Sequence, residues 1–475
     1  MRWPLVGEQE PLRGSPEDFW EEDEDALPLL PEAAPDAEPA GGCRHHARRP
    51  LLSVADVFRR FGAAFRQQQG ETLTVPQDRV LRELTACRTP LLGTHLWQCD
   101  HCGAQAELCN SCDNRHCPTC QTQRRQEWAQ QVQGTLLPIE YFHVICTTPQ
   151  PLSQFAQVNA AALYPALLST GPEAVLQSAA SADGLGAQLG ALAILHTWGQ
   201  LLQVHLHTHL LVSGGGLSLD GQRWIAWPPG EFLPLEPISA RYRRRMLQAV
   251  DQAYAQGKLV FPGPWQAIAE PAAFAQWLAP LRAIDWVVLV RSVWHRSGPQ
   301  DQDAAAKTVD YLARYANRVA ISNSRLLAID GDNVTFRYKD YRDADRWKTQ
   351  TIPGVEFVRR FLLHVLPRGF HHIRRFGFLG PRVAAKTLPR LRQLLGVREP
   401  AASEPDKDPS DEPERHEEGG SDTSRPCRYC GVGRMVLIAE TPRPSVAEIM
   451  RMPTSLEMRA EERPVQWHLP LSAFT

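Results

Sequence analysis

This chain has no long apolar run. Within its 475 residues, no uninterrupted apolar stretch approaches the ~18 residues that a membrane-spanning helix needs. The sequence therefore predicts no membrane-spanning helix and no membrane partner. The N-terminal sequence also lacks the basic-then-apolar layout of a secretory signal, so we expect a cytoplasmic location. With 43% hydrophobic and 22% charged residues, the composition is that of a globular protein and excludes a wholly disordered chain.

The net charge of −2 conceals an uneven distribution along the chain. Residues 1–40 carry 12 acids and two arginines, and residues 399–422 carry ten acids, one lysine and one arginine. Subtracting the −10 and −8 of these segments leaves +16 for the remainder. A basic body beside acidic, proline-rich segments is typical of proteins that bind nucleic acid, although a solvated basic surface would give the same balance.

The cysteines are concentrated in one segment. Six of the 11 lie within residues 99–120, as three Cys-x-x-Cys pairs, and without secretion such clustering favours metal thiolates over disulfides. The spacing matches a four-thiolate structural zinc site formed by Cys99, Cys102, Cys117 and Cys120. Cys112 and His116 are alternative ligands, and with Cys109, Cys87 and His95 nearby a second zinc ion stays open. A redox role is the alternative, but it needs a pair on a thioredoxin-like turn.

A fourth pair, Cys427 and Cys430, stands apart from this cluster. One Cys-x-x-Cys pair supplies only two of the four ligands of a zinc site, and His416 and His468 are candidates for the other two. An independent metal site in this region is therefore one reading of the pair, and two unliganded cysteines are the other.

The pattern of apolar residues predicts an α+β fold with an antiparallel sheet. Residues 51–86 favour helix, with Val54, Val57, Phe58 and Phe61 on one face. Helices are also predicted over 155–180 and 302–317, and a basic helix broken near 367–369 over 355–376. Strands are predicted at 141–146, 189–198, 204–213, 285–290, and in a hairpin at 325–329 and 334–338.

These elements divide the chain into four parts. A disordered acidic leader (1–50) precedes a small zinc-binding, DNA-recognition domain (51–135). An antiparallel-sheet domain (136–385) follows, and then an acidic linker and C-terminal tail with the fourth cysteine pair (386–475).

The predicted strand over 204–213 carries histidines at every second position. Such residues share one face of a strand, so His205, His207 and His209 point the same way. Imidazoles on a rigid face can hold a divalent metal whose open positions accept substrate oxygens. A polar face with solvated histidines is the alternative.

Two tyrosines lie four residues apart in the predicted helix over 302–317. Tyr311 and Tyr315 share a helical face, and Arg314 and Arg318 form the adjacent stripe. A phenol is a poor nucleophile unless a metal or base assists it. A metal that polarises a phosphodiester beside an attacking tyrosine would give a covalent 5′-phosphotyrosine, whereas ordinary packing is the alternative role of the pair.

A basic segment follows in residues 357–376. It contains no acid and five arginines, Arg359, Arg360, Arg368, Arg374 and Arg375. Arginines contact phosphate oxygens in most nucleic-acid complexes. We therefore expect this segment, with Arg314 and Arg318, to contact DNA.

The order of these motifs resembles that of the rolling-circle insertion-sequence transposases of the His-hydrophobe-His class, the IS91 type. The similar segments span about 85 to 380 and are 86–90, 93–95, 99–103, 110–120, 196–200, 205–215, 311–322, 357–361 and 374–379. The resemblance implies a ferredoxin-like palm sheet in the 136–385 domain, with Mg²⁺ or Mn²⁺ on His207 and His209. His205 matches a further family histidine, and Thr208 replaces the hydrophobic residue that the family usually has between the metal ligands.

The same resemblance implies the activity. A DNA transposase of this type nicks and rejoins single-stranded DNA at element ends, with Tyr311 and Tyr315 as nucleophiles. It implies a bacterial mobile element whose product acts at the nucleoid. Two alternatives stay open: a rolling-circle replication initiator with the same chemistry, and a non-catalytic zinc protein that binds DNA. The oligomeric state cannot be read from the sequence.

Overall fold

A computed structural model of the chain describes residues 52–293, 319–397 and 425–454. Short gaps fall at 70–71, 122–127, 129–131, 133–134, 182, 229–230, 342, 344 and 428. The predicted acidic leader, the predicted helix over 302–317 and nearly all of the predicted linker lie outside the described residues. The described part combines helices with antiparallel sheets, which agrees with the predicted α+β class.

Nine α-helices and fifteen strands have defined bounds in the described part. The helices are α1 (Val54–Gln69), α2 (Val75–Ala86), α3 (Gln150–Val158), α4 (Ala160–Ala180), α5 (Leu235–Ala255), α6 (Pro271–Ala283), α7 (Gly354–Leu362), α8 (Pro381–Leu395) and α9 (Val446–Ile449). The strands are β1 (Thr94–Cys99), β2 (Gln105–Cys109), β3 (Tyr141–Thr147), β4 (Ala187–Gln188), β5 (Gly190–Trp198), β6 (Val204–Ser213), β7 (Gly215–Ser218), β8 (Trp224–Ala226), β9 (Val288–Ser292), β10 (Leu326–Asp330), β11 (Asn333–Asp340), β12 (Arg346–Pro353), β13 (Ile373–Gly377), β14 (Arg425–Pro426) and β15 (Arg434–Thr441). Among the described residues, no helix combines the length and the hydropathy of a membrane span.

The central sheet has five antiparallel strands in the order β13-β5-β6-β3-β9. Alternate side chains point to opposite faces. One face, with Val144, Ala193 and Leu210, packs in the largest core against α3, α4, α5 and α6. The other face carries a smaller apolar cluster, including Leu192 and Ile194, beneath Trp128. Because both faces are covered, β3 and β5 are almost continuously buried, which explains why most of their residues are apolar.

The N-terminal helices pack against a later part of the chain. The predicted face of α1 is confirmed, because Val54, Val57, Phe58 and Phe61 are all buried. This face meets α7 and the three-stranded sheet β10-β11-β12, and the rings of Phe58 and Phe361 lie 5.2 Å apart. Helix α2 begins at a capping box in which Thr74 and Gln77 each accept a hydrogen bond from the other's backbone N–H.

The fourth cysteine pair lies in the turn between β14 and β15, two strands of a sheet that joins distant parts of the sequence. The order of this sheet is β14-β15-β1-β2. Strand β15 pairs antiparallel with β1, from Thr94 opposite Thr441 to Cys99 opposite Met435. Part of the predicted C-terminal tail therefore folds onto the cysteine-rich segment. Since β2 occupies only one edge of β1, the other edge offers backbone groups that β15 satisfies.

The predicted basic helix over 355–376 is only partly helical, which corrects the prediction. Helix α7 ends at Leu362, and the segment after the break forms strand β13 at the edge of the central sheet. There its backbone groups pair with β5, from Ile373 opposite Ile194 to Gly377 opposite Gly190. The tertiary pairing overrides the local helical pattern.

Candidate functional site

A cluster of three histidines lies on the less covered face of the central sheet. His196 on β5 is the register partner of His207 on β6, and His209 lies two residues further along β6. One ring nitrogen from each residue lies within 4.8 Å of the other two. The β5–β6 pairing is irregular between His196 and Trp198, and a bulge of this kind re-aims side chains. Two adjacent strands thus bring three potential metal ligands together.

Hydrogen bonds orient two of these rings. Nδ1 of His207 donates to the backbone carbonyl of His205 at 3.0 Å, and Nδ1 of His209 lies 2.8 Å from Nε2 of His143. Because Nδ1 of each ring makes this hydrogen bond, Nε2 is the atom that can bind a metal. Histidine ligands in metal sites are commonly oriented in this way by a hydrogen bond from the other ring nitrogen. Burial, and secondly the charge of Arg291, lowers the pKa of His143 to about 3, so this partner is neutral at pH 7.

His205, which the alternation along the strand also offered as a ligand, lies beside this cluster and is not a member of it. Its ring centroid is 5.0 Å from that of His207, and burial lowers the pKa of His205 to about 4. His196 completes the cluster, because the register of β5 against β6 sets His196 directly opposite His207. Sequence reasoning singled out the segment 196–200 but did not assign His196 as a ligand.

A hydroxyl group adds an oxygen donor to this face. Thr147 on β3 is the register partner of His207, so their side chains share the face. Its Oγ1 is buried and has no hydrogen-bond partner among the described residues. Three imidazole nitrogens with an unsatisfied hydroxyl nearby are a donor set that fits a divalent cation.

The arginines predicted to contact DNA have different surroundings. Tyr311, Tyr315, Arg314 and Arg318 lie outside the described residues. Arg359 and Arg360 both pair with Glu356, at 2.6 and 2.7 Å, and this acid lies immediately before the basic segment. A phosphate would have to compete with this carboxylate for both side chains.

Arg374 and Arg375 point to opposite faces of the sheet because they are neighbours on a strand rather than on a helix. Arg374 is opposite Ala193, on the face covered by helices. Arg375 is opposite Leu192, on the face that carries the histidine cluster.

Eight of the ten described cysteines form two four-membered clusters. The first consists of Cys87, Cys112, Cys117 and Cys120, all buried, with sulfur–sulfur distances of 3.6 to 3.7 Å. It lies in the core formed by α1, α2 and the β10-β11-β12 sheet. Four thiolates at these separations match the edges of a tetrahedral zinc site, about 3.8 Å for bonds of about 2.3 Å.

The second cluster consists of Cys99, Cys102, Cys427 and Cys430. The single site predicted from Cys99, Cys102, Cys117 and Cys120 is therefore divided between two clusters. The first knuckle lies at the turn between β1 and β2, and β2 carries the chain away from it before the second knuckle begins. Each knuckle therefore meets its partner cysteines elsewhere in the chain.

His116, the other predicted zinc alternative, belongs to neither cluster. It lines a small cavity with Trp198, His364 and His372. Burial, and then the charge of Arg115, lowers the pKa of His116 well below its usual value. Arg115 itself donates to the carbonyls of Pro367 and Phe370, which ties the cysteine-rich segment to the chain after α7.

His364 should make stability pH-dependent. Its Nε2 donates to the carbonyl of Leu202 at 3.1 Å, its Nδ1 accepts from the hydroxyl of Thr197 at 3.2 Å, and burial lowers its pKa to about 4. In the unfolded chain the histidine pKa is about 6.5, so below that pH the unfolded chain binds a proton at this residue and the folded chain does not. The free energy of unfolding therefore decreases as the pH falls below 6.5. By pH 5 the loss attributable to this residue is about 2 kcal/mol.

Urea unfolding of the wild type and His364→Gln at pH 7 and pH 5 measures this contribution. Glutamine keeps a donor and an acceptor but does not titrate. The stability gap between the two proteins should shrink by about 2 kcal/mol at the lower pH. A gap that is the same at both pH values contradicts the assignment.

Comparison with known proteins finds two family models and two related proteins that match the chain. A family model described as a putative transposase matches residues 190–386, and one described as a transposase zinc-binding domain matches residues 57–148. The chain is 44% identical over 385 residues to "Putative transposase y4qJ" of Sinorhizobium fredii (strain NBRC 101917 / NGR234), covering 81% of this chain and 94% of that protein. It is 29% identical over 326 residues to "Transposase for insertion sequence element IS801" of Pseudomonas savastanoi pv. phaseolicola, covering 67% and 74%. No solved structure is significantly similar to the chain.

The two matched regions define a transposase class in which a zinc-binding domain precedes the domain with the histidine cluster. The chain belongs to the IS91-type transposases with an N-terminal zinc-binding domain. The family resemblance predicted from the sequence motifs is therefore confirmed.

Proposed function

We propose that this transposase nicks and rejoins single-stranded DNA at the ends of its mobile element through a 5′-phosphotyrosine, as in rolling-circle transposition. The observation that carries the proposal is the histidine cluster, whose three ring nitrogens lie within 4.8 Å of one another. The zinc-binding domain would recognise the element ends. We also keep the ferredoxin-like palm as our proposal for the central domain, which the antiparallel sheet with helices on one face supports.

His196, His207 and His209 would hold the divalent cation. Of the two predicted ions, Mn²⁺ suits nitrogen donors better than Mg²⁺, which prefers oxygen. Such an ion, when bound, polarises the scissile phosphate. The protein contributes rigidity, because the three residues lie on two paired strands and His143 fixes the ring of His209.

The proposed covalent step exchanges one phosphodiester for another. The phenolic oxygen of Tyr311 or Tyr315 bonds to phosphorus while the bond from phosphorus to the 3′ oxygen breaks. The phenolic proton ends on that oxygen, which gives a free 3′-hydroxyl and a 5′-phosphotyrosine. The reverse step rejoins strands without another energy source. Since the two tyrosines are four residues apart in the sequence, one can hold a strand while the other attacks a second.

Trapping the covalent adduct tests this proposal. The protein is incubated with labelled single-stranded element ends and Mn²⁺, denatured, and resolved on a gel. We expect the label to migrate with the protein. Binding without any labelled protein would instead indicate a non-catalytic DNA-binding protein, and adducts formed only on a plasmid origin would indicate a replication initiator.

We expect Arg375 to contact the DNA backbone and Arg374 to serve as its matched control. The two are adjacent on β13, but only Arg375 lies on the face of the histidine cluster. Losing one phosphate contact on a single strand should reduce the slope of log affinity against log salt by about 0.7. Binding of a single-stranded oligonucleotide is measured over a salt series for Arg375→Glu and Arg374→Glu. An equal change of slope in both variants contradicts a face-specific contact.

A further inference from the structure

We infer that Cys99, Cys102, Cys427 and Cys430 form a second zinc site, which fastens residues 425–454 to the zinc-binding domain. The cluster joins cysteines up to 331 positions apart. Neither family match extends to the later pair, since the matches end at 148 and 386.

The sulfur positions are those of a tetrahedral site. Sγ of Cys99 lies 3.8 Å from Sγ of Cys430, and Sγ of Cys102 lies 3.8 Å from Sγ of Cys427. Four sulfurs around a zinc ion at about 2.3 Å are about 3.8 Å apart, whereas a disulfide needs about 2.05 Å. The geometry therefore fits metal thiolates and not disulfides.

The two cysteine pairs have the same local structure. Each is followed by a glycine in the left-handed region, Gly103 at φ 73° and Gly431 at φ 64°. In each, the N–H of that glycine donates to the carbonyl of the first cysteine, at 3.1 Å in one and 2.8 Å in the other. Backbone N–H groups also point at the sulfurs, at 3.4 Å from Cys102 to Cys99 and from Gly433 to Cys430. Two matching knuckles that face each other supply two ligands each, as four-thiolate zinc sites require.

The two knuckles approach so closely that one position has no room for a side chain. A Cβ on Gly433 would lie 2.6 Å from Sγ of Cys99 and 2.5 Å from Cβ of His101. The carboxylate of Asp100 accepts a hydrogen bond from the N–H of Arg434 at 2.8 Å. The segment around Cys427 and Cys430 therefore contacts the segment around Cys99 and Cys102 through its backbone as well as through its sulfur atoms.

Apolar packing around β15 is weak, so metal coordination would supply a large part of the free energy that holds this strand in place. Val436, Leu437 and Ile438 are 45%, 39% and 47% exposed, so the strand buries little apolar surface. Beyond it, Arg443 donates to the carbonyl of Cys112 at 2.6 Å, a contact with the first cluster. Structural zinc sites supply folding free energy where a core is small.

Zinc content of the purified full chain tests the inference. We expect two zinc ions per chain in the wild type and one in Cys427→Ser/Cys430→Ser. Cys99→Ser/Cys102→Ser and the variant with all four changes should also hold one, because both pairs bind the same ion. The matched control is Cys109→Ser on β2, a cysteine that belongs to neither cluster and should leave two ions bound.

Retention of two ions after loss of Cys427 and Cys430 would overturn the inference, as would a four-cysteine variant with fewer ions than either double variant. If a serine variant loses all zinc through misfolding, Cys430→His keeps a zinc ligand at that position. The protein is then loaded with Co²⁺, and the sulfur-to-cobalt absorption should fall by about one eighth, since one thiolate of eight is replaced. Unchanged absorption would show that Cys430 binds no metal.

Discussion

Replacing His196 with alanine should lower DNA cleavage by ~10³-fold or more, whereas replacing His205 should change it by less than ~10-fold. Both residues lie near His207, but only His196 belongs to the group whose ring nitrogens, with those of His207 and His209, lie within 4.8 Å of one another. If His196 holds the proposed cation, its loss would remove that cation and with it several kcal/mol of stabilisation of transition-state charge. Single-turnover cleavage of a labelled oligonucleotide and Mn²⁺ titration measure the two effects.

His207→Ala and His209→Ala should resemble His196→Ala in both measurements. Zinc content should stay unchanged in all of these variants, because the cysteine clusters lie outside the central sheet. The assignment of ligands is wrong if His205→Ala abolishes Mn²⁺ binding and His196→Ala does not.

Combining Tyr311→Phe with Tyr315→Phe should abolish the covalent adduct, a loss of ~10³-fold or more. Phenylalanine keeps the ring and removes only the hydroxyl, so binding of the oligonucleotide should be retained. Each single substitution should leave some adduct, because the other tyrosine can still attack. The adduct is quantified on denaturing gels and its attachment site is mapped by peptide sequencing.

Two results would refute the tyrosine assignment. One is a label that maps outside Tyr311 and Tyr315, and the other is an adduct in the double variant. An intact zinc content and unchanged DNA binding in that variant are the controls for folding.

Local sequence patterns predicted the elements of the site well. Alternation identified β6, with histidines at every second position, and apolar periodicity identified the buried face of α1. Both signals are contained within a few residues, so no information about distant contacts was needed. The position of His196 opposite His207 was harder to predict, because an irregularity between His196 and Trp198 shifts the register by one residue from the Trp198–Val204 pair.

The pairings between distant segments could not be predicted in this way. Cys99 and Cys102 have the correct spacing to share an ion with Cys117 and Cys120, and only the β1–β15 pairing shows that their partners are Cys427 and Cys430. The repeated Cys-x-x-Cys-Gly pattern at 99–103 and 427–431 was the available signal. Strand β13 was missed for a related reason, since its partner β5 lies far away in the sequence and local propensity favours helix.

The pairing of β15 with β1 has a consequence during synthesis. Cys102 and Cys427 are 325 residues apart, so at about 5–20 residues per second the ribosome needs about 16 to 65 s to supply the missing strand. Throughout that interval the nascent chain presents β1 with one open edge and two thiols that lack their partners. Products that terminate early keep that edge open permanently, so they are the forms of the protein most exposed to aggregation and degradation.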